Sequence, residues 1–231
     1  SGASGAYQFL NSTWKGLSDS AGYKTAASAP GGGGSSDRGS APGSSAGIAA
    51  AMGNTWPDDN WRVHFRDTMR GGKMLNHWRM AQLHAQEAPD RVRELEDWGA
   101  LFDRTADGLI SQRDFGGHRY ARLAHVGDRT GLELIRTLQQ RTVALGIDVY
   151  MECTVTRLLT DPDGVTGAFG YWRESGRFVA WQAPSVVLAT GGIGKSYKVT
   201  SNSWEYTGDG HSLALQAGAP LVNMEVVQFH P

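Results

Sequence analysis

The 231 residues hold one cysteine, Cys153, so no disulfide can close within the chain and a framework of paired cysteines is excluded. Neither charge is in excess. The 22 lysines and arginines stand against 23 aspartates and glutamates, and a net charge of -1 gives no reason to expect nucleic acid. Long apolar runs are missing as well. The longest, such as 48–52, fall far short of the roughly 20 residues a bilayer helix needs, and no charged-then-apolar leader opens the sequence. Two further absences are more specific: no Gly-x-Gly-x-x-Gly turn occurs, and no histidine precedes His64. What remains, 40% hydrophobic and 19% charged, is a globular balance, long enough for one large domain or two small ones.

The most informative stretch is 186–210. Val186, Val187, Leu188 and Ala189 form a short apolar run that ends in Thr190, Gly191 and Gly192, as expected of a parallel strand buried on both faces. Glycines at the carboxyl end of such a strand let backbone approach a ligand closely. Thr207, Gly208, Asp209 and Gly210 then lead into an apolar-periodic helix over 211–218, with Asp209 where helices start. Each signal alone is common, since Gly-Gly makes ordinary turns and Thr-Gly-Asp-Gly makes ordinary helix caps.

Between 54 and 146 the chain reads as helical. Asp58, Asp59 and Asn60 supply caps for a helix through Trp61, Phe65 and Met69 that Gly71 and Gly72 end. A second helix runs to Ala88, and Pro89 opens a third through Val92, Leu95 and Trp98. His77 and His84, seven apart, share a helical face, but no third ligand at suitable spacing completes a metal set. Residues 106–108 make a hairpin turn. The polar span holding His118, Arg119, Arg122, His125, Asp128 and Arg129 reads on residue types as a solvated loop. Thr130 and Glu133 give a capping-box pattern for the helix that follows. Residues 147–152 alternate as a half-buried strand, and three more strands at 155–159, 165–172 and 177–181 are separated by good turn sequences, a meander.

Taken together, the segments GIAAAMGN, FGGH, DRTG, LATGGIG, NSWEYTGDG and QFHP resemble the flavoprotein subunit of succinate dehydrogenase and quinol:fumarate reductase, over 47–231. Aspartate oxidase shares the glycine elements, but 202–206 and the match around 71–93 favour the quinone-linked enzymes. The resemblance implies an α/β fold, a Rossmann-like FAD-binding domain with parallel sheet, helices and meander, here lacking its first βαβ unit. It implies FAD as cofactor, contacted by Gly47, Ile48, Thr190, Gly191, Gly192 and Asp209, and a dicarboxylate substrate whose carboxyl meets His230. Its implied partners are membrane anchor subunits together with an iron-sulfur subunit, at the cytoplasmic face of an inner membrane. The family's flavin-attachment histidine falls near Ser40, where this chain has none, so covalent attachment by that route is not expected. The family's Thr-Glu pair and catalytic arginine would follow Pro231. The chain therefore reads as a piece of a longer protein, inactive alone.

Residues 1–30 resemble instead part of the transglycosylase-like, lysozyme-fold domain of resuscitation-promoting factors. That segment contains no glutamate, and glycoside cleavage needs a carboxylic acid to protonate the leaving oxygen. It leaves a second reading, a cell-wall hydrolase or wall-binding module. Residues 31–46, almost all glycine, serine, alanine and proline, form a flexible linker between the two.

Overall fold

The computed structural model describes residues 47–200, 202 and 206–227, in two compact units that divide between Val143 and Ala144. The expectations for residues 1–46 and for His230 lie outside the described residues.

In the first unit, β1 (Ile48–Ala49), β2 (Gln112–Arg113) and β3 (Leu123–Ala124) form an antiparallel sheet in the order β1-β3-β2. Two-residue strands carry little ladder energy, so side chains finish the work: Gln112 Nε2 donates to the carbonyls of Ala50, at 2.6 Å, and Arg122, at 3.1 Å. Helix α1 (Trp61–Gly71) starts where the Asn60 side chain accepts from the amides of Arg62 and Val63, a cap worth about 1 kcal/mol. Helix α2 (Trp78–Asp97) packs beside it and turns Ala88 and Val92 onto a core with Ala50, Ala100, Phe102, Ile110 and Ala124. Helix α3 (Thr130–Ala144) closes the unit. The expected turn at 106–108 is present: Thr105 N–H donates to Leu109 and Gly108 N–H to Thr105.

The two helices expected on either side of Pro89 are one. Pro89 lies inside α2, where it removes one intrahelical hydrogen bond. The buried stripe of Ala81, Ala85, Ala88 and Val92 runs through it without a break, and burial of that continuous face holds the helix together. The capping box also differs. The Thr130 hydroxyl accepts from the Val126 amide, and Glu133 takes the Leu101 amide and the Arg136 guanidinium.

In the second unit the meander is as expected. Strands β4 (Cys153–Asp161), β5 (Gly164–Trp172) and β6 (Phe178–Gln182) pair antiparallel in sequence order, from Cys153 opposite Trp172 to Asp161 opposite Gly164. Helix α4 (Asp209–Gln216) lays Leu213 on Val155, Leu158 and Ala168, with Trp181, Val186 and Ala217 at the margin.

The parallel sheet is not found among the described residues, whose two sheets are both antiparallel. Residues 186–189 form no strand, and Val187 is 78% and Leu188 38% exposed. An apolar run becomes a strand only when another strand hydrogen-bonds beside it, and none among the described residues does so here. Residues 147–152 form no more than an isolated bridge at Val149, and Glu152, left-handed at φ 55°, separates them from β4. Residues 221–227, strand-like in composition, form instead a turn in which Asn223 has φ 56° and Val226 N–H donates to its carbonyl.

Candidate functional site

The two glycine motifs of 186–210 converge in the second unit. Gly191 has φ +74°, a conformation that side chains resist, and a Cβ there would stand 3.1 Å from the Tyr206 ring. The Lys195 amide donates to the Tyr206 carbonyl at 2.9 Å, and the Ser196 hydroxyl to the Thr207 carbonyl at 2.9 Å. The first turn of α4 is pressed against the same loop, so that a Cβ on Gly210 would fall 1.8 Å from Thr190 Oγ1. The loop after the apolar run and the start of the helix therefore form one interlocked element.

Helix α4 begins at Gly208, which is left-handed and offers no side chain to cap it. Asp209 is the first helical residue, not the cap. Its carboxylate is exposed and receives the Thr207 hydroxyl at 2.9 Å, which fixes its direction. The amides of a first helical turn favour an acceptor, but the carboxylate already there repels a phosphate. Hydroxyl groups, which a carboxylate accepts, suit this position better. Beside it opens a cavity of about 490 Å³ lined by Ile193, Gly194, Tyr197, Asn202, His211 and Met224. The Tyr197 hydroxyl donates to the Met224 carbonyl and ties the far wall to the loop.

Thr190, Gly191, Gly192 and Asp209 are thus brought together. Gly47 and Ile48 belong to the first unit. A Cβ on Gly47 would meet the Leu123 Cβ at 2.9 Å and the Ala124 carbonyl at 3.0 Å, so its missing side chain serves the close approach of β1 to β3. Ile48 packs against the core of its unit.

The FGGH segment reaches the first unit's charged centre through His118, but no motif points to Arg122. Arg122, read as part of a solvated loop, is 0% exposed. Its Nε and Nη2 make a two-pronged pair with Asp59 at 3.1 and 2.9 Å, and Nη2 also reaches Asp67 at 2.9 Å. Asp67 takes the Arg119 amide too, at 2.9 Å. Burial raises the pKa of Asp59 against the pull of Arg122, and the second carboxylate at Asp67 adds to the rise. The His64 ring lies 5.4 Å from His84 and 5.9 Å from His118. Burial, then Arg122 and the two other imidazoles, lower His64 to about 4, and burial and Arg122 also depress His118. One signal was available: His64 and Asp67 are spaced i, i+3 on the face of α1 that the helix buries. His77 does not join His84, because its Nδ1 accepts the Met80 amide at the start of α2. Among the described residues no group of three metal-ligating side chains is placed to hold a metal.

Comparison with known proteins identifies the family. The FAD binding domain family matches residues 21–231. One component of the CoM/CoB fumarate reductase of Methanothermobacter marburgensis is 46% identical over 185 residues, 80% of this chain and 34% of that protein. The succinate dehydrogenase flavoprotein subunit of Rickettsia conorii is 37% identical over 193 residues, 80% of this chain and 32% of that protein. Among solved structures, the apo Sdh1 complex of Mycobacterium smegmatis has a chain 66% identical, with TM-score 0.77, covering 80% of this chain and 33% of that one. A quinol fumarate reductase of E. coli is 33% identical, with TM-score 0.73, over 82% of this chain and 32% of that one. The chain thus spans about a third of the length of the curated relatives it matches.

Proposed function

The chain belongs to the FAD binding domain family, and from that membership we propose that it is the cofactor-holding portion of a succinate dehydrogenase or fumarate reductase flavoprotein. The observation that carries the proposal is the interlock of Thr190 with Gly210, which places a glycine loop and an oriented, exposed Asp209 side by side. This cradle fits FAD. Gly191 and Gly192 present backbone without side chains, and Asp209 would accept a hydroxyl of the cofactor's sugar or ribityl chain. Thr190 would hold the loop against the helix. Gly47 and Ile48 would be cofactor contacts on the family resemblance alone.

When bound, FAD supplies the hydride acceptor or donor that interconverts succinate and fumarate. In this reading His230 donates a ring N–H to a substrate carboxylate. Electrons reach quinone by way of an iron-sulfur subunit, through membrane anchor subunits at the cytoplasmic face of the membrane. No helix among the described residues is long and apolar enough to cross a membrane. In the finer reading, residues 186–189, unpaired among the described residues, would join a parallel Rossmann-like sheet once a neighbouring strand is supplied, and no opening βαβ unit is legible in this sequence. The bare apolar faces of Val187 and Leu188 support that reading. The chain divides in the same scheme into a transglycosylase-like piece at 1–30, a linker at 31–46 and the flavoprotein part at 47–231.

Titration of the purified chain with FAD, followed by flavin fluorescence, tests the assignment. Binding is expected to be loose, since no Gly-x-Gly-x-x-Gly turn offers a helix N-terminus to the pyrophosphate. Asp209→Ala should weaken it about tenfold further, as loss of a charge-assisted hydrogen bond does. Equal affinity in chain and variant would refute the cradle. In a protein extended to its relatives' length, His230→Ala should weaken malonate binding roughly ten- to a hundredfold at unchanged flavin content.

A further inference from the structure

The connection between α1 and α2 carries side chains that the described fold does not use. Lys73 and Met74 are both left-handed, at φ 53° and 63°, and neither is glycine. The turn closes α1 in the manner of a Schellman motif, with Met74 N–H donating to the Met69 carbonyl and Lys73 N–H to Arg70. Glycine is the residue that relieves such a turn. Gly71 and Gly72 stand just before it, yet the left-handed positions hold a lysine and a methionine. Both are exposed, Met74 at 64%. Their side chains thus keep a strained conformation without filling any core.

The neighbours share this exposure. Leu75 is 83%, Trp78 53%, Met80 59% and Leu83 45% exposed. The same segment is basic throughout its solvated surface. Arg62, Arg66 and Arg70 follow one another at four-residue spacing on the face of α1 opposite His64, and Lys73 and Arg79 continue the series. Between Asn60 and Gln86 the sole acidic residue is Asp67, which is buried against Arg122. None of the five cations has an ion-pair partner among the described residues. Two lie on indole rings, Arg62 at 4.6 Å from Trp61 and Arg79 at 5.2 Å from Trp78.

We propose that the α1–α2 corner is a docking surface for a carboxylate-rich face of a protein partner. Charge complementarity selects an acidic occupant, and the apolar centre around Met74, Leu75 and Trp78 selects one with apolar side chains among its carboxylates. Arginine supplies all but one of the cations, and its planar fork matches carboxylates in pairs. Arginine, tryptophan and methionine are the residues enriched at protein interfaces. A lipid surface attracts lysine as well as arginine and needs no strained turn.

The probe is a fluorescein-labelled amphipathic peptide of glutamate and leucine at helical spacing, added to the chain at physiological ionic strength and followed by anisotropy. Saturable binding is expected, weakened at least about tenfold by Arg70→Glu with Arg79→Glu. A second variant, Lys73→Gly with Met74→Gly, relieves the turn. It should keep or raise the thermal midpoint while weakening the peptide several-fold, an effect that misfolding cannot mimic. The proposal is overturned if the peptide does not bind, or if either variant binds it as the parent does. It is equally overturned if vesicles of phosphatidylglycerol and phosphatidylcholine capture the chain while the peptide does not. Displacement of the peptide by inorganic polyphosphate with no effect of the glycine variant would show general anion binding instead.

Discussion

In the first unit three strands of two residues each are tied together by Gln112, and a guanidinium buried between two carboxylates anchors them to α1, whereas in the second a nine-residue pair, β4 and β5, sets its own register by backbone pairing. The difference shows in what each can tolerate. A long antiparallel ladder spreads its stability over many small contributions. A buried ion triad concentrates it, because two aspartates and one arginine have left water and depend on one another. The first unit should therefore respond sharply to single charges and to pH, and the second to shape at its glycine contacts.

The most disruptive test of that contrast is Arg122→Met. It removes the cation from two buried carboxylates and should cost about 3–5 kcal/mol, as breakage of buried pairs does. Hydrogen exchange read by segment should show loss of protection in 48–124 with β4 and β5 unchanged. Equal loss in both units would mean that the charge triad has no local role.

Next in size is the response to acid. His64 stays neutral when folded, at about 4 against about 6.5 when unfolded, because it is buried beside Arg122, His84 and His118. Between those values the unfolded chain binds the extra proton. The contribution of this group is therefore complete above pH 6.5 and falls by roughly 3 kcal/mol as pH drops to about 4. Urea midpoints taken across that window for the parent and for His64→Phe check the prediction. The variant should lose part of the slope, and an unchanged slope would place the acid sensitivity in the carboxylates alone.

The smallest effect belongs to the second unit. Gly210→Ala places a Cβ where Thr190 Oγ1 stands, 1.8 Å away, and such overpacking costs about 1–3 kcal/mol. The expected outcome is a loosened loop at 190–196 with the meander intact, seen as local exchange without a shift in the main unfolding transition. A variant as well protected at 190–196 as the parent would break the proposed interlock.

Much of the fold was legible where the deciding interactions are local. The caps of α1 and the turns of the meander lie within a few residues of the elements they bound, so Asn60, Asp161 and Gly164 announced them. Residues 186–189 and 221–227 have the composition of strands, but a strand depends on a distant partner that composition does not name. Pro89 misled for the related reason that tertiary burial of Ala85 and Val92 outweighs a local breaker. The glycine loop and the helix start at Asp209 were legible because both are motifs of close spacing, and the structure brings them together. Arg122 was not, since its burial is decided by two carboxylates far upstream.

Residues 186–189 also have a bearing on the behaviour of the chain in concentrated solution. Val186, Val187 and Leu188 are β-prone and apolar, none is charged, and among the described residues no strand lies beside them. Such a segment is a template on which an identical segment of another molecule can add, strand upon strand. Solubility of the isolated chain should accordingly be limited by this short stretch, and a lysine in place of Val187, the most exposed of the three, would act as a gatekeeper against fibrillar growth.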